Sequence, residues 1–112
     1  MKQLQISYAQ FQQLDIRVGE VKKAVKIKES RNLLLLSVDL GVEYGTVTIV
    51  SGISEFADPK KMIGKKYLFV ANLEPRTVFG HLSQGMLLVA DNTTLLSLLP
   101  QKKKIPSGSQ LR

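Results

Sequence analysis

Apolar runs separated by turn signals, a first run whose apolar phase changes at a glycine, and a short helix signal between the third and fourth runs together predict the fold class. They read as all-β: a five-stranded Greek-key barrel of the OB class, with one short helix at the N-terminus and another between strands 3 and 4. The 112 residues suggest a single domain, 1–112, without internal repeat or linker.

In chain order, Ser7 and Gln10 have the spacing of a capping box, and Tyr8, Phe11 and Leu14 follow at near-helical spacing, which predicts a helix from Tyr8 to Gln13. Leu14, Ile16 and Val18 alternate with polar residues as a half-buried strand. After Gly19 the inward set becomes Val21, Val25 and Ile27, which places a bulge or bend at the glycine. Lys22, Lys26 and Lys28 share the opposite face, either as a solvated surface or as a phosphate-tracking stripe; two equal readings stand. Glu29 to Asn32 is a turn, and Leu33 to Leu40 the second strand, with Leu34, Leu36, Val38 and Leu40 on one face. Thr46 to Val50 is the third strand, reached through a glycine-bounded turn at Gly41 to Gly45. Asp58-Pro59 starts the short second helix, since Asp caps and Pro suits the first helical position. Lys65 to Leu73 and Gly85 to Ala90 are expected as strands four and five, with a further short strand near Leu95 to Leu99. The tail from Pro100 carries a lysine triplet, and Ile105 and Leu111 predict that it packs back on the body or on a partner.

Composition narrows the chemistry. Without cysteine there is no disulfide, no thiolate catalysis and no cysteine-based zinc site, and one histidine cannot build a multi-histidine metal centre. No metal or cofactor is expected. Sixteen Lys and Arg against nine Asp and Glu give a formal charge of +7, a balance that attracts polyanions. No run is long enough to span a bilayer, no basic amphipathic helix points to a membrane partner, and the N-terminal residues lack the apolar core of a signal peptide, so a cytoplasmic protein is expected.

Polar residues that invite a function gather between Val70 and Ala90, where two apolar runs flank a loop holding Asn72, Arg76, Ser83 and Gln84. Pro75 restricts its own torsion and so fixes where Arg76 leaves the chain, and a guanidinium grips a phosphate with two parallel donors. Asn72 and Ser83 are compact partners for a phosphate or a 2′-hydroxyl, or else satisfy their own loop; Met86 is core or a ribose contact. Arg31 and Asn32 lie in the first turn, a common ligand edge of OB barrels, and Lys65 adds a cation. His81 and Ser83 lie two residues apart, but no nucleophile elbow and no orienting carboxylate accompany them, so independent catalysis is disfavoured and no catalytic residue is expected. There is no Trp, and the aromatic residues fall mostly on buried or helical positions, which favours the backbone of a folded RNA over splayed bases.

The same stretch reads Val70-Ala71-Asn72-Leu73, Pro75-Arg76, Gly80, Ser83, Gly85-Met86. At those spacings it resembles the tRNA-binding domains appended to methionyl-tRNA synthetases and found as small free-standing tRNA-binding proteins. The resemblance continues through the Leu14 to Val21 segment, Val38 to Gly41, Ser51 to Ile53 and Gly64 to Lys66. It implies an OB barrel, a role for the Ser83 and Met86 positions in tRNA binding, tRNA as partner, a homodimer for a free-standing form and methionyl-tRNA synthetase as a possible associate. One departure is Asn32, where relatives usually carry Lys. The expected function is a non-catalytic tRNA-binding module reading shape and backbone with little sequence preference; Met1 and the short length suggest a free-standing protein. The alternative is a protein-interaction or chaperone-like export factor, with Leu33, Leu35 and Met86 as a peptide groove.

Overall fold

A computed structural model describes residues 1–112. Helix α1 spans Tyr8–Gln12, followed by strands β1 (Ile16–Lys26), β2 (Leu34–Asp39) and β3 (Thr46–Ser51), helix α2 (Pro59–Met62), and strands β4 (Lys66–Val70), β5 (Arg76–Val78), β6 (His81–Ser83), β7 (Met86–Leu87), β8 (Ala90–Asn92) and β9 (Leu95–Ser97). The main sheet has the order β3-β2-β1-β4-β7, antiparallel throughout. It curls into a nearly closed barrel because β3 meets the end of β6 and the residue after it: the Val50 N–H donates to the Ser83 hydroxyl at 3.0 Å, and the Gln84 N–H donates to the Thr48 carbonyl at 2.8 Å. The all-β OB architecture expected from the sequence is the one observed.

The interior is filled by residues that alternate along their strands. Leu34, Leu36, Val38 and Leu40 are fully buried and meet Ile49, Tyr67 and Phe69 from the facing strands. Burial pushes the Tyr67 hydroxyl pKa up. Helix α2 covers one end with Met62; Asp58 caps it by accepting the Lys60 N–H at 3.0 Å. The capping box of α1 forms in full, with the Ser7 hydroxyl accepting the Gln10 N–H and the Gln10 side chain accepting the Ser7 N–H.

Strand β1 departs from expectation at two points. The register irregularity lies between Val21 and Lys23, not at Gly19, which pairs regularly with Tyr67. Gly19 serves close packing: a Cβ there would stand within 2.9 Å of Val38, Leu40 and Phe69 side-chain atoms. Beyond the bulge Ala24 turns inward, and Val25, expected in the core, is 53% exposed. Val18, on the opposite face from Gly19, is nonetheless buried, because the C-terminal tail pairs with the free edge of β1. Its bonds are the Val18 N–H to the Ser109 carbonyl, the Gly108 N–H to the Val18 carbonyl and the Leu111 N–H to the Ile16 carbonyl.

The later strands are shorter than expected. β4 starts at Lys66 and ends at Val70: the Ala71 N–H still donates to the Asp15 carbonyl opposite it, but the Asp15 N–H is taken by the Asn72 side chain and the pairing stops. The fifth barrel strand is only Met86–Leu87, after which the chain peels off into the β8–β9 hairpin. The segment read as a loop, Arg76 to Ser83, is a hairpin of its own, closed by a two-residue turn at Phe79-Gly80 with φ of 49° and 79°. Positive φ at both turn residues matches the right-handed twist of the strands.

One end of the barrel is tied together by Arg17. Its guanidinium donates to Asp15 at 2.6 and 3.1 Å, to Glu43 at 2.8 Å and to the Gly108 carbonyl at 3.0 Å, and lies 5.4 Å from the Tyr44 ring centroid. Tyr44 in turn donates its hydroxyl to Asp15. Arg17 holds the Asp15 carboxyl below the usual carboxylate range, with Tyr44 adding to the effect against the opposing cost of burial. The hydrogen bonds to Asp15 and Glu43 raise the Arg17 pKa, and the one to Asp15 raises that of Tyr44.

Candidate nucleic-acid interface

The β5–β6 hairpin brings three of the expected site residues together. Arg76 and Ser83 are register partners, and Met86 follows three residues after Ser83. With Val50, Leu73 and Glu74 they line a cleft of about 370 Å³ beside the strand closure. Arg76 is exposed and makes none of the chain's three ion pairs, so its guanidinium is unpaired at the cleft. Met86 is 45% exposed, in register with Val70, so its side chain is neither core nor fully solvated.

Ser83 and Gln84 have a prior occupation. Ser83 is 6% exposed; its hydroxyl accepts the Val50 N–H and donates to the Gly85 carbonyl at 3.3 Å. Gln84 accepts the Thr48 N–H with its side-chain oxygen at 3.1 Å while its own N–H bonds the Thr48 carbonyl. Together they replace a regular ladder where the barrel closes. Gly85 is needed beside them, since a Cβ there would stand 2.8 Å from the Val70 carbonyl oxygen at a φ of 159°.

Asn72 is also committed to structure. Its amide oxygen accepts the Asp15 N–H at 2.9 Å and its nitrogen donates to the Gln13 carbonyl at 2.7 Å, which pins the exit of α1 to the end of β4. Arg31 and Asn32 lie apart from the cleft, in the β1–β2 turn. Ser54 fixes that turn, its hydroxyl donating to the Arg31 carbonyl and its N–H to the Asn32 carbonyl. The turn and the cleft share β3: Val50 lines the cleft and Gly52, two residues on, approaches the Asn32 side chain. Two strand residues span about 7 Å. Lys65 is not in this group; it precedes β4 at the end away from the hairpin.

Val50, Glu74 and Phe56 are not singled out by the sequence, and Leu35 is singled out only as a peptide-groove residue. Val25, Leu35 and Val50 are consecutive register partners on the outer face, so an apolar row leads across three strands to the cleft. Glu74 places a carboxylate in the same cleft as Arg76. Phe56, half exposed, lines a second cleft of about 650 Å³ with Lys26 and Lys60. The Leu35 alternation carried a signal for the row; the clefts depend on loop geometry and carried none.

An OB-type barrel with a partly apolar cleft at its strand closure, bearing an exposed arginine, is the class of structure these residues define. The family described as "Putative tRNA binding domain" matches residues 16–110, and the chain belongs to that tRNA-binding domain family. It is 44% identical to the methionine–tRNA ligase of Methanocaldococcus jannaschii over 113 residues, which covers 100% of this chain and 17% of that protein. It is similar to the solved MetRS related protein from Pyrococcus horikoshii, at 36% identity and a TM-score of 0.92, covering 98% of this chain and 100% of the other. It is similar too to the CsaA chaperone protein from Picrophilus torridus, at 25% identity and a TM-score of 0.86, covering 96% and 100%. The chain thus spans about a sixth of the length of the curated ligases it matches. No helix is long and apolar enough to cross a membrane.

Proposed function

We propose that this chain is a tRNA-binding module that grips the sugar-phosphate surface of folded tRNA and catalyses no reaction itself. The observation that carries the reading is Arg76, exposed and without an ion-pair partner beside Ser83 and Met86 in the closure cleft. Arg76 takes a phosphate in a bidentate grip, and Met86 packs against a ribose. Arg31 and Asn32 supply a second edge along β3, and Lys65 a more distant phosphate contact. Asn72, Ser83 and Gln84 act chiefly by holding the cleft in shape, since their polar atoms already have protein partners. The net charge of +7 supports this reading; Tyr44 is tied to Asp15 and Tyr67 is buried, which leaves Phe79 at the tip of the β5–β6 hairpin and Phe56 as the exposed rings near the proposed surface.

The module works in the cytoplasm as one domain, either free-standing as a homodimer or attached to methionyl-tRNA synthetase. The exposed Leu4, Ile6 and Tyr8 on and before α1 support an association surface. The direct test is filter binding of mixed tRNA with Arg76→Ala. Affinity should fall alike for many tRNAs; an unchanged affinity contradicts the reading. The apolar row Val25–Leu35–Val50 favours a second reading, a peptide groove, which predicts that an unfolded polypeptide displaces tRNA from the protein.

A further inference from the structure

The lysines of the tail form a surface that the closure cleft does not include. Gln101 bridges to Lys66 at the start of β4, and the chain then turns, with the Ile105 N–H donating to the Lys102 carbonyl at 3.1 Å. The Lys66 ammonium fixes this turn by donating to the Lys103 carbonyl at 2.8 Å and the Ile105 carbonyl at 2.7 Å. Lys102, Lys103 and Lys104 are thereby presented outward, all exposed, next to the exposed Lys65. Lys60 and Lys61 of α2 precede Lys65 by five and four residues and are exposed as well.

None of these six lysines forms an ion pair. The neighbouring carboxylates are engaged elsewhere: Glu20, in register with Lys66, pairs with Lys22 at 3.3 Å, and Asp58 caps α2. A rigid turn that holds like charges together without counter-charges repels itself, and an array of phosphates relieves that repulsion. A further lysine, Lys66, holds the turn through carbonyl bonds and so adds its own charge to the cluster.

We infer that Lys65 and the Lys102–Lys104 turn form a second phosphate-binding surface, at the opposite end of β4 from Arg76, which tracks the backbone of the same folded RNA. This rests on the tRNA-binding reading proposed above. The two surfaces are separated by the length of β4 and the chain beyond it, more than about 13 Å for the strand alone. A ligand that touches both must therefore be extended and polyanionic, which a single nucleotide is not.

The test is tRNA affinity measured across a salt series for the wild type, for Lys102→Gln/Lys103→Gln/Lys104→Gln, for the corresponding triple arginine variant, and for Arg76→Ala. The three side chains are exposed and the turn is held by main-chain carbonyls, so the fold should persist, as circular dichroism and a thermal melt would verify. The glutamine variant should bind about tenfold more weakly near 0.1 M salt, and its log–log salt slope should be shallower by about two. The arginine variant should retain wild-type affinity. If the glutamine variant keeps both affinity and slope while Arg76→Ala loses them, the second surface is wrong and the tRNA reading stands. If neither variant weakens binding, both fail. If the glutamine variant binds tRNA normally but loses binding to anionic phosphatidylserine vesicles, the surface serves a membrane and the inference is overturned.

Discussion

The Ser83 hydroxyl accepts the Val50 N–H at 3.0 Å, so that a side chain stands in for a backbone carbonyl at one of the links that close the barrel, beside the Gln84 N–H to Thr48 carbonyl bond. The same residue is the register partner of Arg76. Closure and presentation of the unpaired guanidinium are therefore coupled through one residue. Ser83→Ala should orphan the Val50 N–H and cost about 1–3 kcal/mol of stability, read as a lowered urea midpoint. tRNA affinity should weaken with it, because the hairpin carrying Arg76 loses its anchor.

Arg76→Ala should behave differently. The side chain is exposed and makes no ion pair, so stability should change by less than about 0.5 kcal/mol. Affinity for unrelated tRNAs should fall by a similar factor, and the salt slope should shrink by about one phosphate contact. A loss confined to one tRNA species would indicate base reading instead.

The turn between β2 and β3 offers a paired test of packing. Gly41 has a φ of 92°, and a Cβ there would lie 2.6 Å from the Gly108 Cα and 2.8 Å from the Ser107 carbonyl oxygen. Gly45 has a φ of 71° but open space around it. Gly45→Ala should cost about 1–2 kcal/mol, the left-handed penalty alone. Gly41→Ala should cost more than about 2 kcal/mol, because the tail must also move off β1. Thermal melts of the two variants give the comparison.

Acid should loosen the Arg17 end first. The folded-state pKa of Asp15 is depressed, chiefly by the Arg17 hydrogen bond, so its stabilisation is complete above the ordinary value of 3.8 and is lost as pH falls through the lower folded value. Asp15→Asn should lower stability at neutral pH by about 2–3 kcal/mol, somewhat less than a fully buried pair because Glu43 and the Gly108 carbonyl still hold Arg17. Its stability should also decline less than that of wild type on acidification. Urea midpoints between about pH 6 and about pH 3 test both effects.

Much of the barrel was legible because local pattern and tertiary role agree. The alternation from Leu34 to Leu40, the Ser7 capping box and the Asp58-Pro59 start each match what forms. The misplaced features depend on distant partners. Two adjacent lysines, Lys22 and Lys23, carry no sign that the bulge lies between Val21 and Lys23, so the alternation points Val25 inward where the structure exposes it. Val18 is buried as its alternation suggests, but under the returning tail and not in the barrel core. The β5–β6 turn was masked by Phe79, a residue type that rarely adopts positive φ. At the site, the sequence groups Asn72, Arg76, Ser83 and Gln84 with Met86 nearby and adds Arg31, Asn32 and Lys65; of these, Arg76, Ser83 and Met86 line one cleft, while the others lie outside its lining. The sequence leaves open that Asn72 and Ser83 satisfy protein groups, and with Gln84 they do, at 2.7–3.3 Å; it carries no sign of the partners, because Gln13, Asp15, Thr48 and Val50 are distant in the chain.

The most direct measurement is the affinity of the wild-type chain for several unrelated tRNAs as a function of salt. Backbone recognition predicts that log affinity falls linearly with log salt, with a slope steeper than about −3, and that the tRNAs differ little among themselves. A flat salt dependence, or tight binding to one tRNA and none to the others, would contradict it.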